Sequence, residues 1–482
     1  MKVKLTALLS ALFLAGCQAD LPAINAENIA SAIAESSVTT APQTTVTTAT
    51  TADPLETGQV IHIYITDEKY AELIGDVYEL PDGFSYKFTA VEKNYSKELL
   101  DTLKDNEELK SDERIDLFLT DFDYMRRFVE SDYSLPLDSI GITADDTAKM
   151  YPYTIAYGSD ESGAVKALTW FVSPDVFVFR RSIAEDCLFT GKANPDSMAE
   201  AIADWDTLTT TANFLYIAYS GRLPDNQAYQ MFTSGAEFYR PFMQNTNEPL
   251  VTDNIFNYPE RWHEFRRLHM LLTNRRYVGR VLPNTDEWRA EMRMDGMTLA
   301  FIGSKDFIDG VLTEEASSEG DDGTFGDWAV CRLPEQSVSG GVFLSAAKGS
   351  DNLDIAADII KAVTCNAETL RELDVIPNNM DLVEEYSKSD DYASAMLGGQ
   401  NPYSVFNAAA KDVPTTDMTE YNDFGRIYAY NEVGSYINRD IDGFDALETY
   451  INRNYRTIKV PFEEDPKYVK PGVAVRPDTS LL

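Results

Sequence analysis

The chain has 482 residues, too many for one hydrophobic core, and a formal net charge of −38. That surplus of carboxylates excludes nucleic acid as a partner, because phosphate binding needs clustered Lys and Arg, and it repels anionic membrane surfaces; it reads as solubility in an exposed setting. Hydrophobic residues at 44% and aromatic residues at 11% suffice for two or three domains.

Lys2 and Lys4 precede an apolar run over residues 5–14, too short to cross a bilayer as a mature helix. The run ends in Leu14-Ala15-Gly16-Cys17, which resembles the lipobox of bacterial lipoproteins. That resemblance implies a signal peptide over residues 1–16, cleavage before Cys17 and lipidation of its sulfur. No later apolar segment is long enough to span. Residues 17–57 are rich in Thr, Ala and Ser with almost no large apolar groups, and read as a disordered tether.

Folding is expected to start near Gly58. Residues 60–65 form a β-rich first strand, 68–80 a helix, 84–91 a second strand and 96–109 a helix capped by Ser96. Residues 115–119 are a compact buried strand, and Asp121-Phe122-Asp123 opens a helix to Val129. Strands alternating with helices predict an α/β domain with a largely parallel sheet, where ligands sit at the carboxyl ends of strands. Asp121 is therefore either a polar ligand contact or a helix N-cap, with Phe122 beside it.

Residues 168–179 (LTWFVSPDVFVF) carry a strand signal broken by Ser173-Pro174, which marks an edge or a crossover between domains, with Trp170 just ahead of the break. Helical patterns follow over 197–219, 258–272 and 285–293, then a strand over 298–302 closed by Gly303, and an acidic loop over 313–324. Residues 325–364 read as strand, turn, strand and capped helix. Pro334 stops the first strand, Gly340-Gly341 interrupts the second, and Ser350-Asp351-Asn352 offers caps to the helix. The two glycines signal either a β-bulge or a close backbone approach. Helix continues to about residue 458, and 461–482 is a tail.

Few motifs survive. No nucleophile elbow, P-loop or dinucleotide fingerprint is present. His263 and His269 point in different directions on a helix, and Glu264 lacks an H-E-x-x-H partner. Asn438-Arg439-Asp440 begins like a calcium loop but reaches Thr449 where a bidentate Glu is required. Carboxylates are everywhere, and none form a singled-out glycosidase pair. What stands out is a set of aromatic and small residues at strand or loop ends: Trp170, Tyr239, Phe242, Gly340, Gly341 and Phe343. Rings beside directed polar groups suit sugars. With Cys17 lipidated, Cys187, Cys331 and Cys365 remain; Cys331 precedes the glycine turn and Cys365 ends the helix after it, so these two could pair.

Four stretches carry a family resemblance: IDLFLTDFDYMRRFVESDYSLPLDSIGI from Ile115, YPYTIAYGSDESGAVKALTWFVSPDVFVFRRSIA from Tyr151, GDWAVCRLPEQSVSGGVFLSAAKGSDN from Gly326, and LGGQNPYSVF from Leu397. Together they resemble the extracellular solute-binding proteins of bacterial ABC importers, specifically the carbohydrate-binding (family 1-like) lipoproteins of Gram-positive gut bacteria. The resemblance implies an α/β, two-lobe periplasmic-binding-protein-like fold (type II) with lobes joined by crossing strands. Lobe 1 would hold residues 58–170 with 304–371, and lobe 2 residues 174–303 with 372–460. It places Asp121, Trp170, Gly340 and Gly341 at or beside the cleft; Phe122, Tyr239, Ser339 and Phe343 complete the expected ligand-binding set.

The chain departs from the family at Ser339, at Ser304-Lys305-Asp306 and at Thr66-Asp67-Glu68, where relatives commonly carry aromatics. These losses leave room for a smaller or more polar solute. The implied function is non-catalytic, without cofactor or metal. The protein would capture a small solute, sugar favoured, and deliver it to an ABC permease from a lipid anchor on the extracellular face of the cell membrane. Adhesion or scaffolding on the same fold is the alternative, and a glycan-processing enzyme the third.

Overall fold

The computed structural model describes residues 59–91, 95–122, 125–219, 228–245, 251–252, 255–256, 260–316 and 323–415. Cys17, the tether, the segment at Asn438 and the helices expected as far as residue 458 lie outside the described residues.

Two principal sheets organise the chain. In the first, β1 (Val60–Ile65) is parallel to β2 (Ser85–Ala90) on one side and to β3 (Leu117–Asp121) on the other. Ile61, Ile63 and Ile65 enter the main core while His62 and Tyr64 face the other way, as the two-residue period of a strand requires. Beyond β3 the sheet continues with β10 (Val342–Ala346) and ends at β4 (Ala167–Leu168), giving the order β2-β1-β3-β10-β4. Both of the latter pairings are antiparallel. The sheet is thus mixed, where sequence periodicity led us to expect a largely parallel one. β10 enters from the second lobe, at the edge where β3 ends, and so must run back along it.

The second sheet has the order β8-β5-β9, all antiparallel, from β5 (Val176–Arg180), β8 (Ala300–Gly303) and β9 (Trp328–Cys331). A hairpin of β6 (Val251–Thr252) and β7 (Ile255–Phe256) stands apart. Val176, Val178, Phe301, Trp328 and Val330 face the core shared with the first sheet. Phe177, Phe179, Ala300, Ala329 and Cys331 face a second core of helices. Burial on both faces explains why β5 is apolar throughout rather than alternating. β9 falls inside the stretch expected in lobe 1, residues 304–371, yet residues 328–331 pair with β5 in the second sheet.

Arg180 ends β5 and is 5% exposed. Its guanidinium donates to the carbonyl oxygens of Arg293 at 3.1 Å, Met294 at 3.2 Å and Gly296 at 3.3 Å, and to the Asp327 carboxylate at 3.2 Å. It therefore ties the turn before β8 and the approach to β9 onto one strand end.

Three chain segments cross between the lobes side by side. The first joins β4 to β5 and contains Ser173-Pro174, the predicted crossover. The second joins β9 to β10, and the third precedes helix Met380–Ser387. The Asp175 amide donates to Ser337 O at 2.8 Å and the Ser339 amide to Ser173 O at 3.0 Å. On the other side, Val172 donates to Ile376 O and Asn378 to Trp170 O, each at 2.9 Å. The buried Asn378 side chain locks the third crossing, donating to Thr169 O at 2.9 Å and accepting from the Tyr151 amide at 3.0 Å. Paired crossing segments of this kind form a hinge with few free torsions.

Two local expectations need correction. Ser350-Asp351-Asn352 does precede a helix, Leu353–Ile360, yet Asn352 makes no side-chain cap. Ser350 Oγ and Asn352 Nδ2 instead donate to the buried Asp116 carboxylate at 2.6 and 3.3 Å, joined by the His62 amide at 2.9 Å. A buried carboxylate outbids the helix end because leaving it unsolvated costs more. Cys331 and Cys365 are free thiols rather than a disulfide; one faces the second core and the other packs on the first.

Candidate functional site

The strand ends converge. β1 runs out into Thr66-Asp67, β3 ends at Asp121, and β10 begins at Val342 opposite Asp121. From the second lobe, β8 ends at Gly303 opposite Val176, the first residue of β5. Glycine is needed at 303, because the Phe307 ring covers the place where a Cβ would project. Beside these edges, the crossing segments and the residues that follow β1 and β8 line a cavity of about 30 Å³. Lys69, Tyr70 and Leu73 line it from the first lobe, residues 170–173 and 373–376 from the hinge, and Lys305 and Asp306 from the end of β8. A volume near 30 Å³ is one water molecule's share of the liquid.

The wall is aromatic and acidic. Trp170 is 2% exposed and meets the Tyr70 ring edge-on, with centroids 5.6 Å apart. Lys69 Nζ lies 5.0 Å from the centre of the Tyr70 ring and 3.3 Å from Asp67. Burial pushes the Tyr70 hydroxyl well above its ordinary value, and the charges of Asp121, Asp67 and Asp306 push it the same way. Burial likewise raises the Asp306 carboxyl. Burial works against the Lys305 ammonium, yet Asp309 at 2.6 Å and Asp374 at 2.8 Å hold it charged.

The expected site residues separate into two groups. Asp121 and Trp170 reach the cavity region, one through its charge on Tyr70 and the other as wall. Ser339 lies in the second crossing, its hydroxyl 3.1 Å from Ser173 Oγ. Gly340 and Gly341 precede β10, so they form no bulge within it, and open space surrounds the Cβ position of Gly340. Gly341 O accepts from the Phe122 amide at 2.9 Å. The aromatic expectations are corrected. Phe122 packs edge-on to Tyr157, Phe343 is 1% exposed in the main core, and Tyr239 meets Phe265 in the second core. None of these three lines the cavity. Lys69, Tyr70, Ser173, Lys305 and Asp306 were missed as contacts, although the charged segments after the first strand and after Gly303 were already noted as departures.

Behind the β8 wall, Glu237 is 7% exposed and accepts from Trp288 Nε1 at 2.5 Å and Thr233 Oγ1 at 2.9 Å. Burial pushes its carboxyl up to about 7 from the ordinary 4.5, against those bonds. The folded protein therefore keeps a proton that the unfolded chain has released, and stability falls as pH rises from about 4.5 to about 7. Glu237→Gln removes this loss, so its stability relative to wild type should rise by on the order of 3 kcal/mol between pH 4 and pH 8. Urea unfolding at the two pH values measures it, and a constant difference would refute it. Taking the difference cancels His62 and His269, whose rings burial lowers to about 4 and which act with the opposite sign.

A larger cavity of about 460 Å³ opens on the second lobe, lined by Arg180, Ser182, Ile183, Asp186, Tyr229 and residues 294–297. One lobe alone forms it, and the Arg180 guanidinium there is already bonded to carbonyl groups.

No family model matches the chain, and no curated protein matches it. Solved structures do. The crystal structure of an extracellular solute-binding protein family 1 superposes with a TM-score of 0.63 at 13% identity, covering 83% of this chain and 100% of that one. The sugar-binding protein MalE from Xanthomonas citri gives 0.62 at 12% identity, covering 84% and 98%. The galacto-N-biose-/lacto-N-biose I-binding protein of a Bifidobacterium longum ABC transporter, in complex with lacto-N-biose, gives 0.60 at 12% identity, covering 84% and 99%. The chain has the two-lobe α/β fold of the solute-binding proteins.

Proposed function

We propose that this chain is a non-catalytic solute-binding protein that captures a small solute between its lobes and delivers it to an ABC permease. The observation that carries this reading is a cavity lined from the first lobe, from the crossing segments and from the end of β8, beside three paired crossings. Such a hinge lets the lobes part and reclose, and capture needs only a higher affinity for the closed form. Proteins of the same fold bind sugars: one structure holds β-1,6-galactobiose and another α-D-tagatose. A sugar or similarly small polar solute suits a wall of Trp170 and Tyr70 beside Ser173, Asp306 and Asp374.

The anchor belongs to the same proposal. Lipid on Cys17, followed by a polar tether, would hold the binding domain on the extracellular face of the cell membrane. Among the described residues no helix is long and apolar enough to cross a membrane. The lobes would be residues 58–170 with 304–371 for the first, apart from β9, and 174–303 with β9 and residues 372–460 for the second.

A thermal-shift screen of monosaccharides, oligosaccharides and polyols tests the reading. A ligand at about 100 times its Kd adds about 2.7 kcal/mol to folding, so a matching solute should raise Tm by several degrees without forming product. No shift with any solute would favour the second reading, a surface scaffold on the same fold. The small volume of the cavity and the serines at 304 and 339, where relatives commonly carry aromatics, favour that second reading.

A further inference from the structure

Resting on the capture reading, we propose that the solute carries an ammonium group, as an amino sugar does, and that a neutral sugar is the poorer ligand. Two independent features lead there. The first is Tyr70, which is 5% exposed and lines the cavity, yet its hydroxyl makes no hydrogen bond among the described residues. The ring is buried while the oxygen still reaches solvent beside the cavity, so the hydroxyl is placed to accept from a ligand's donor.

The second is the charge facing that hydroxyl. Asp67 follows β1, Asp121 ends β3, and Asp306 follows β8, so three strand ends from both lobes bring carboxylates to one phenol. Counting the groups that act on Tyr70 and Asp306, five are carboxylates (Asp67, Asp121, Asp306, Asp309 and Asp374) and two are ammonium groups, Lys69 and Lys305. Lys305 is bound to Asp309 and Asp374, and Lys69 to Asp67. The Asp306 carboxylate accepts no hydrogen bond among the described residues, and it lines the cavity.

Closing the lobes on a neutral solute would leave this negative excess in a water-poor space, which is costly. An ammonium supplies both the charge and three donors for carboxylate and phenol acceptors. Its size matches a cavity of about 30 Å³, with the remainder of the solute admitted by parting of the lobes. The net charge of −38 would draw cations to the surface.

Isothermal titration at pH 7 and low salt, with the matched pairs glucosamine and glucose, galactosamine and galactose, and mannosamine and mannose, decides the matter. At least one amine should bind about tenfold or more tighter than its neutral partner, equivalent to about 1.4 kcal/mol. The preference should shrink as salt rises and disappear in Asp306→Asn. Tyr70→Phe, which removes the hydroxyl and keeps the ring, should weaken the amine more than the neutral sugar. Melting curves confirm that both variants fold, and Asp121→Asn replaces Asp306→Asn if that one does not. Equal or tighter binding of the neutral member in every pair overturns the proposal and leaves capture standing. So does a preference that survives Asp306→Asn. Binding of no member of any pair also overturns it, and the wider thermal-shift screen then shows whether capture itself survives.

Discussion

Trp170→Ala is expected to destabilise the protein by about 3–5 kcal/mol, as removal of a large buried aromatic does. The indole is 2% exposed and sits against Tyr70 at 5.6 Å and Phe171 at 5.5 Å, with the main core behind it. A domain's whole stability is about 5–15 kcal/mol, so this one truncation removes a large share of it. Equilibrium urea unfolding measures the loss; a value under about 1 kcal/mol would mean the ring is not packed as described. The consequence for function is practical. Lost binding in Trp170→Ala cannot be assigned to a lost ligand contact, because the hinge-side wall of the cavity goes with it. Trp170→Phe keeps a ring in place and is the variant for binding work.

Arg180→Ala should cost a similar amount, about 3–5 kcal/mol, by a different route. The change deletes a buried cation whose donors satisfy three carbonyl groups and the Asp327 carboxylate. Those acceptors are left without the partner that held them, beside the larger cavity of the second lobe. Asp327 also accepts from the Ser182 amide at 2.9 Å, so it is not stranded entirely. Chemical denaturation again gives the magnitude. Loss of the tie between β5 and residues 293–296 should also speed amide exchange in β8 while β1 and β3 stay protected. Uniform exchange across both sheets would contradict that localisation.

Much of the fold was legible because its strands are short apolar runs with clear breaks. The strand after Gly58 falls where expected, the strand expected over 115–119 lies at 117–121, and the signal over 168–179 resolves into β4 and β5 on either side of the Ser173-Pro174 break. β9 was misassigned for a physical reason: nothing in Trp-Ala-Val-Cys says which sheet will receive it. Only pairing with β5 decides that, and pairing is a long-range property. The site divides the same way. Phe122, Tyr239 and Phe343 are aromatics near chain breaks, and that local pattern is shared by core residues and sugar platforms alike. Tyr70, Asp121 and Asp306 meet because three strands stop at a common edge. Their sequence separation hides that meeting from any local pattern. The departures at Asp67 and at Lys305-Asp306 were visible beforehand, but as missing rings rather than as charges facing one phenol.

The place of β10 in the first sheet bears on how the protein can be made. β10 lies between β3 and β4, yet it follows all three strands of the second sheet in the chain. During synthesis β3 therefore stays an unfilled edge until the second lobe's strands have emerged, with its backbone donors and acceptors open to any passing strand. Neither lobe is a contiguous stretch that can finish first and then wait for the other. A chain built this way has to be kept apart from its neighbours until residues 342–346 arrive.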